Sequence, residues 1–274
     1  MGTFIVLPTY NEVDNLALLV GELFSLPVPL SVIVVDDNSP DGTGTLADDL
    51  ASVHPGRVVV IHRSAKLGLG TAYIAGFQRA LQLGATSILT MDADFSHHPR
   101  FIPAMVQCLA TADLVIGSRY TPGGGTHNFP MRRKILSRCA NAVARNALGL
   151  RARDATAGFR LYRREIIESL ALDSILSSGY SFLIEMLFLV EKAGWHVAEV
   201  PILFEDRVAG VSKISRQEIL NALFTVWRLA LQRPVIGLPE IGASDFTLSR
   251  ACRVGCSVSL RLFHAFFFRV TRWH

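Results

Sequence analysis

The chain has 274 residues, half of them hydrophobic and 18% charged, with a net charge of +4. That length buries a full core, and that composition excludes a disordered chain. Four scattered cysteines (Cys108, Cys139, Cys252, Cys256) exclude a disulfide-stapled scaffold and suit reduced thiols.

The mean hydropathy of +0.35 is high for a water-soluble enzyme and raises the question of membrane contact. No signal peptide is expected, because Phe4-Ile5-Val6-Leu7 arrives with no basic stretch ahead of it. Phe4–Leu7 is the first of five short apolar runs. The others are Val32–Val35, Val58–Ile61, Ile88–Met91 and Leu114–Ile116, each apolar enough to be buried on both faces. Between them lie amphipathic segments: Asn15 to Phe24, Gly44 to Ser52, Thr71 to Leu83 and Pro99 to Leu109. Alternation of this kind predicts an α/β fold, a parallel sheet covered by helices, with ligands beyond the carboxyl ends of the strands.

Polar clusters stand where that rule puts a site. Pro8-Thr9-Tyr10-Asn11-Glu12 follows the first run and Asp36-Asp37-Asn38-Ser39-Pro40-Asp41-Gly42 the second. Asp92-Ala93-Asp94 follows the fourth, and Gly117-Ser118-Arg119-Tyr120 the fifth. Two carboxylates one residue apart at a strand end can share a divalent cation and a diphosphate, and oxygen-only ligands suit Mg²⁺ or Mn²⁺. The competing reading of Asp92-x-Asp94 is a pair of solvated turn acids. The apolar strand before it and the helix start at Ser96-His97-His98-Pro99 favour the metal. Asp36-Asp37 suits ribose hydroxyls or a base N–H, and equally a turn and helix cap. Leu67-Gly68-Leu69-Gly70-Thr71 lacks a dinucleotide fingerprint, since Tyr73 stands in place of the third glycine. The pair His97-His98 reads as decoration of a helix start.

Beyond Tyr120 the composition shifts. From Met131 to Arg164 ten basic residues face one acid, Asp154, and after Asp245 come five arginines and no acid. Aromatics are not interleaved as stacking platforms, so no nucleic acid is expected. An anionic lipid or a phosphate acceptor fits better. The apolar stretches Ile219 to Leu231 and Val254 to Val270 are too short and too interrupted to span a bilayer. Phe263, Phe266, Phe267 and Phe268 beside Arg253, Arg261, His264 and Arg269 suit an interfacial helix.

Taken in order, the four clusters above, Lys66-Leu67-Gly68-Leu69-Gly70-Thr71-Ala72-Tyr73, Ala157-Gly158-Phe159-Arg160-Leu161-Tyr162 and Pro201-Ile202-x-Phe204-x-x-Arg207-x-x-Gly210-x-Ser212-Lys213 resemble one family. It is the dolichol-phosphate (polyprenyl-phosphate) mannose synthases, inverting family 2 glycosyltransferases with a GT-A fold. The resemblance covers roughly Phe4 to Leu220. It implies a GT-A catalytic domain over residues 1–238; the amphipathic C-terminal helices and the basic, aromatic tail over 239–274 are read from their own residues, the tail as a membrane-associating helix with a C-terminal core helix as the competing reading. It implies GDP-mannose contacts at Pro8, Tyr10, Glu12, Val35 and Asp37, and metal and diphosphate work at Asp92, Ala93 and Asp94, with Asp92 and Asp94 as the ligands of Mg²⁺ or Mn²⁺. Arg119, Arg207 and Lys213 would surround the donor and acceptor phosphates, and Arg133 and Ser137, four apart on one helical face, match acceptor-phosphate positions. Ser96 stands where one relative carries a metal-binding Gln, and it is left outside the metal set. The implied reaction is transfer of mannose from GDP-mannose to a polyprenyl phosphate, with inversion, by a peripheral protein at the cytoplasmic face of a membrane. Room is left for a small membrane-anchor subunit. The alternatives are glucosyl transfer from a UDP-sugar to the same lipid, and a nucleotide-binding membrane adaptor without turnover.

Overall fold

The computed structural model of the chain describes residues 2–127, 130–205 and 216–232, all within one compact unit. The five predicted strands are present as β1 (Thr3–Thr9), β2 (Leu30–Asp36), β3 (Val58–His62), β4 (Ser87–Thr90) and β5 (Leu114–Ser118). The four predicted helices are α1 (Val13–Phe24), α2 (Thr43–Val53), α3 (Leu69–Gln82) and α4 (Ile102–Cys108), the last entered through a 3₁₀ turn at Pro99–Phe101. Beyond these come β6 (Gly125–His127), α5 (Met131–Leu148), β7 (Arg160–Arg163), α6 (Arg164–Ser169), α7 (Tyr180–Lys192), β8 (Val197–Pro201), β9 (Leu203–Glu205) and α8 (Arg216–Ala230).

The main sheet runs β3-β2-β1-β4-β7-β5-β8, and β6 and β9 form a small parallel pair beside it. All neighbours in the main sheet are parallel except β7, which runs antiparallel to both β4 and β5. The run of five strands and helices gives no hint of this reversal. β7 is only four residues long and carries an arginine at each end. Arg160 is nevertheless fully buried, because its guanidinium donates to the carbonyls of Leu183 at 2.7 Å and Ala155 at 2.8 Å. Those bonds satisfy its two terminal nitrogens, while Nε is buried without a hydrogen-bond partner. Since β7 runs backwards, its entry segment Ala157–Phe159 lies at the carboxyl ends of β4 and β5.

Alternate residues of each strand supply two apolar layers. Phe4, Val6, Ile33, Val35, Ile88, Leu114 and Ile116 pack in one layer with Phe77 of α3 and Phe182 and Leu187 of α7. Ile5, Leu7, Val32, Val34, Leu89 and Val115 pack in the other with Leu16 and Leu19 of α1, Ala47 of α2 and Met105 of α4. Both faces being covered is what makes the strands apolar throughout. β1 is the branch point of the sheet, with β2 on one side and β4 on the other. A crevice opens at such a switch, between the loops that leave the two strands in opposite directions. Here those loops are Tyr10–Glu12 and Met91–Ser96.

Candidate active site

The floor of the crevice is held by hydrogen bonds between the loops after β1 and β2. The Thr9 hydroxyl donates to Asp36 Oδ1 at 2.9 Å, and the Asp37 amide donates to the Thr9 carbonyl at 3.0 Å. The Asn11 amide reaches Ser39 Oγ, the Glu12 amide reaches Thr43 Oγ1, and the Val13 amide reaches Asp41 Oδ2. Asp41 also accepts from the Thr43 amide, so one carboxylate serves the first turns of α1 and α2 together. Asp36 is buried and additionally accepts from the amide and hydroxyl of Ser39, which makes it the structural member of the Asp36-Asp37 pair. Asp37 faces Arg63, with an ion pair of 2.8 Å. Burial pushes its carboxyl above the usual carboxylate range, against the pull of Arg63. Tyr10 is exposed at the rim, with Lys66 Nζ 4.0 Å from its ring centroid.

Among the described residues three non-glycine residues hold positive φ, and all three are in these strand-end loops: Asn11 at 62°, Asn38 at 59° and Phe95 at 61°. Asparagine tolerates that region, whereas for phenylalanine it is strained and must be imposed by its surroundings. The turn at Phe95 lets Asp94 Oδ1 accept from the Ser96 amide at 3.0 Å, which fixes the carboxylate at the end of β4. Asp94 is buried and Asp92 half-buried. Behind Asp92 stand two buried side chains. The Tyr73 hydroxyl of α3 lies 3.5 Å from Asp92 Oδ1, and His97 Nδ1 accepts from the Asp92 amide at 3.3 Å and lies 3.8 Å from Oδ2. Burial and the neighbouring Asp92 carboxylate push the Tyr73 phenol well above its ordinary range, so it remains a donor. His97 is stacked on Phe159, with centroids 5.2 Å apart, and meets Phe204 of β9 edge-on at 5.2 Å. His98 does what a helix-start residue does: its Nδ1 accepts from the Arg100 amide. His97 instead belongs to the site, a role its neighbourhood in the sequence does not reveal.

Asp92 and Asp94 supply hard oxygen donors, and among the described residues no third His, Cys, Asp or Glu joins them as a metal cluster. A pair of carboxylates that leaves the remaining positions to phosphate oxygens and water fits Mg²⁺ or Mn²⁺ bound together with a diphosphate.

Phe204 also adjoins Arg119, whose guanidinium carbon is 5.4 Å from the ring centroid. Nε and Nη2 donate to the two oxygens of Asp154 at 2.8 Å each, Nη2 also to Thr156 Oγ1, and the Arg119 amide to Asp154 Oδ2. Burial alone would raise the Asp154 carboxyl, but Arg119 holds it below the usual range and is itself held firmly protonated. Beside Arg119 a small pocket is lined by Arg119, Tyr120, Gly125, Thr126, Lys134 and Arg138. Ser137 lies one turn along α5, its Oγ 2.7 Å from the Tyr120 hydroxyl.

The expected site residues thus fall into two groups. Pro8, Tyr10, Glu12, Val35, Asp37, Asp92, Ala93, Asp94 and Arg119 lie in or next to the carboxyl ends of β1, β2, β4 and β5, while Arg133 and Ser137 lie on the first two turns of α5. Arg207, Lys213 and the 239–274 tail lie outside the described residues. Sequence reasoning missed Tyr73, His97 and Asp154 as site residues. Lys134 and Arg138 belong to the basic run that pointed to an anionic lipid or a phosphate acceptor, but nothing in the sequence singled them out from it.

Comparison with known proteins matches residues 4–171 to the model of glycosyl transferase family 2. A polyprenol monophosphomannose synthase of Mycolicibacterium smegmatis is 47% identical over 225 residues, 82% of this chain and 85% of that protein. An undecaprenyl-phosphate mannosyltransferase of Micrococcus luteus is 44% identical over 231 residues, 84% of this chain and 95% of that protein. Among solved structures, glucosyl-3-phosphoglycerate synthase of Mycobacterium tuberculosis with Mn²⁺, UDP and glucosyl-3-phosphoglycerate aligns with a TM-score of 0.59 at 20% identity. It covers 84% of this chain and 80% of its own. The same enzyme with Mg²⁺ and UDP gives 0.59 at 19% identity, over 84% and 79% of the two chains. At that identity the likeness establishes the shared GT-A fold alone. With the fold, the strand-end carboxylates and these relatives in agreement, the chain belongs to glycosyl transferase family 2.

Proposed function

We propose that this glycosyltransferase moves mannose from GDP-mannose to the phosphate of a polyprenyl phosphate, in one displacement with inversion at the sugar carbon. The observation that carries this reading is the pairing of two centres, one reached through His97 and one through Arg119, that both adjoin Phe204. An acidic one, Asp92 and Asp94, suits a cation-bound diphosphate, and a basic pocket at Arg119, Lys134 and Arg138 suits a second phosphate. The names of the 47% and 44% identical relatives supply the sugar and the lipid.

In this reading Pro8, Tyr10, Glu12, Val35 and Asp37 hold the nucleoside, with Asp37 accepting from its hydroxyls. Asp92 and Asp94 hold Mg²⁺ or Mn²⁺, with Ala93 between them at the diphosphate. The cation, when bound, offsets the negative charge that gathers on the leaving GDP. Arg133 and Ser137, with Lys134 and Arg138, hold the acceptor phosphate, and Arg207 and Lys213 complete the cationic surroundings of the two phosphates. An acceptor phosphate oxygen is already anionic at neutral pH, so its attack on the sugar carbon needs no general base, unlike that of a sugar hydroxyl. The new bond joins that oxygen to the carbon as the bond to the diphosphate breaks, and the electron pair leaves with GDP. Buried Tyr73 and His97 keep the Asp92 carboxylate in place. The protein would work peripherally at the cytoplasmic face of a membrane, where its acceptor resides.

Two measurements test this. Asp94→Asn is expected to keep the fold and lower transfer on the order of a hundredfold or more, the loss typical of removing a group that acts on the transition-state charge. A variant as active as the parent would contradict the role of the acid pair. The anomeric configuration of the lipid-linked sugar, read by NMR, is expected to be β from the α-configured donor, and an α product would contradict inversion.

A further inference from the structure

Of the first five strands, β3 is the one that ends without an expected site residue. Arg63 follows it directly, and its side chain does not turn to water: it is 7% exposed, and that of Asp37 beside it 9%. Three groups meet the guanidinium there. Nη1 lies 2.8 Å from Asp37 Oδ1 and donates to the Gly68 carbonyl at 3.3 Å, and Nη2 donates to Thr71 Oγ1 at 2.5 Å. The Arg63 amide donates to the Asp36 carbonyl at 2.9 Å, so the backbone is fixed to the end of β2 as well. Gly68 and Thr71 flank the start of α3, the helix that carries Tyr73 to Asp92.

The two neighbouring carboxylates are treated differently by this surrounding. Asp36 accepts from the hydroxyls of Thr9 and Ser39, bonds that close the loops after β1 and β2. Asp37 receives no such hydroxyl among the described residues. Its Oδ1 is buried and makes no hydrogen bond, so Arg63 meets it as a charge rather than as an aligned donor. Burial favours the neutral acid, and the Arg63 charge opposes that. A fold gains little from a buried ion pair as such, since apolar side chains of the same volume often serve it as well or better. A buried carboxylate with a counter-charge and few donors is instead an acceptor kept ready for the N–H or O–H groups of a ligand.

We infer that Arg63 is a positioning residue of the donor site, holding the Asp37 carboxylate in place as an acceptor for the N–H and O–H groups of the donor's nucleoside. The inference rests on the reading that Asp37 holds the nucleoside, and it has Arg63 act on the reaction through Asp37. Arginine suits the task because its planar fork faces Asp37 and Thr71 together, whereas a lysine at this position would bring the charge without the fork.

The test is a double-mutant cycle on the full chain, read as donor KM, acceptor KM and kcat, with GDP affinity measured separately by calorimetry in the presence of Mg²⁺. Asp37→Asn and Arg63→Gln are each expected to raise donor KM and weaken GDP by about tenfold or more, with acceptor KM at the parent value. The double variant, which strands neither charge, is expected to bind GDP no more weakly than the weaker single variant, because the two residues act as one unit. Arg63→Lys is expected to recover part of the loss. Thr71→Val removes only the arm to α3 and is expected to bind GDP as the parent does. Circular dichroism checks each fold. Should Arg63→Gln unfold, Arg63→Lys completes the cycle, with a loss expected beside Asp37 and none further in the Asp37→Asn background. Parent GDP affinity in Arg63→Gln, with affinity lost in Asp37→Asn, overturns the proposal and leaves the nucleoside reading standing. Additive losses in the double variant also overturn it, as does a Thr71→Val variant that reproduces the loss of Arg63→Gln, which would assign the effect to α3. Parent affinity in Asp37→Asn would remove Asp37 from the nucleoside, and the proposal with it.

Discussion

Asp154 is fully buried and bonded by both oxygens to Arg119, and it links the end of β5 to the segment that leads into β7. Removing one member of such a pair strands the other charge, so Asp154→Asn is expected to cost about 3–5 kcal/mol in chemical denaturation at neutral pH. A loss within measurement error would contradict the pairing. The sign of the pH dependence follows from the same contact. Arg119 holds the Asp154 carboxyl below its unfolded value of 3.8, so the stability it brings is complete above that value and is lost as pH falls through the folded one. The parent is therefore expected to weaken as pH falls below about 4, and Asp154→Asn to weaken less steeply. At this scale the sequence was legible where chemistry is local. The Asp92-x-Asp94 spacing announces two carboxylates at one strand end, and Asp36-Asp37 a turn. Which of Asp36 and Asp37 is structural was not legible, because Thr9 and Ser39 decide it, and Thr9 comes from another strand. Tyr73 and His97 were unreadable for the same reason: their partner, Asp92, is reached across the fold from α3 and around a strained turn.

Elements are placed by close approaches that leave no room for a side chain. A Cβ on Gly76 of α3 would lie 2.2 Å from Val6 Cγ1 of β1, so Gly76→Ala must lift the helix from the sheet. It is expected to cost about 1–3 kcal/mol, checked by thermal or denaturant midpoint. An unchanged midpoint would show that α3 sits further from β1 than the contact requires. A Cβ on Gly117 of β5 would lie 2.6 Å from Phe159 Cδ1, and Phe159 is the ring on which His97 stacks. Gly117→Ala is therefore expected to lower the turnover of the enzyme by more than its loss of stability accounts for, measured as kcat at a temperature well below the midpoint. Loss of stability with full turnover would separate Phe159 from the site. The five parallel strands and four helices were legible because each buried strand reads as a β-branched run and each helix as a periodic one. β7 was not: four residues with an arginine at each end carry no strand signature, and only the register with β4 and β5 makes a strand of them.

For the molecule as a whole, positive charge and apolar surface gather on the α5–α8 side, while the acid pair sits in the crevice of the sheet. Composition gave warning of this through a high mean hydropathy and a local basic excess. It pointed to two segments, 131–164 and the tail, the second outside the described residues, and could not show that α8 is apolar on both faces, since that depends on which side α7 covers. Among the described residues no helix is long and apolar enough to cross a membrane. The identity of the sugar donor belongs to this scale too, because it depends on the assembled crevice and on no single residue of it. The most direct test is a labelled transfer assay in detergent, offering GDP-mannose or UDP-glucose with a polyprenyl phosphate, with Mg²⁺ or with a chelator. Labelled lipid from GDP-mannose alone, abolished by the chelator, is the predicted result. Label from UDP-glucose instead, or transfer that persists without metal, would contradict it.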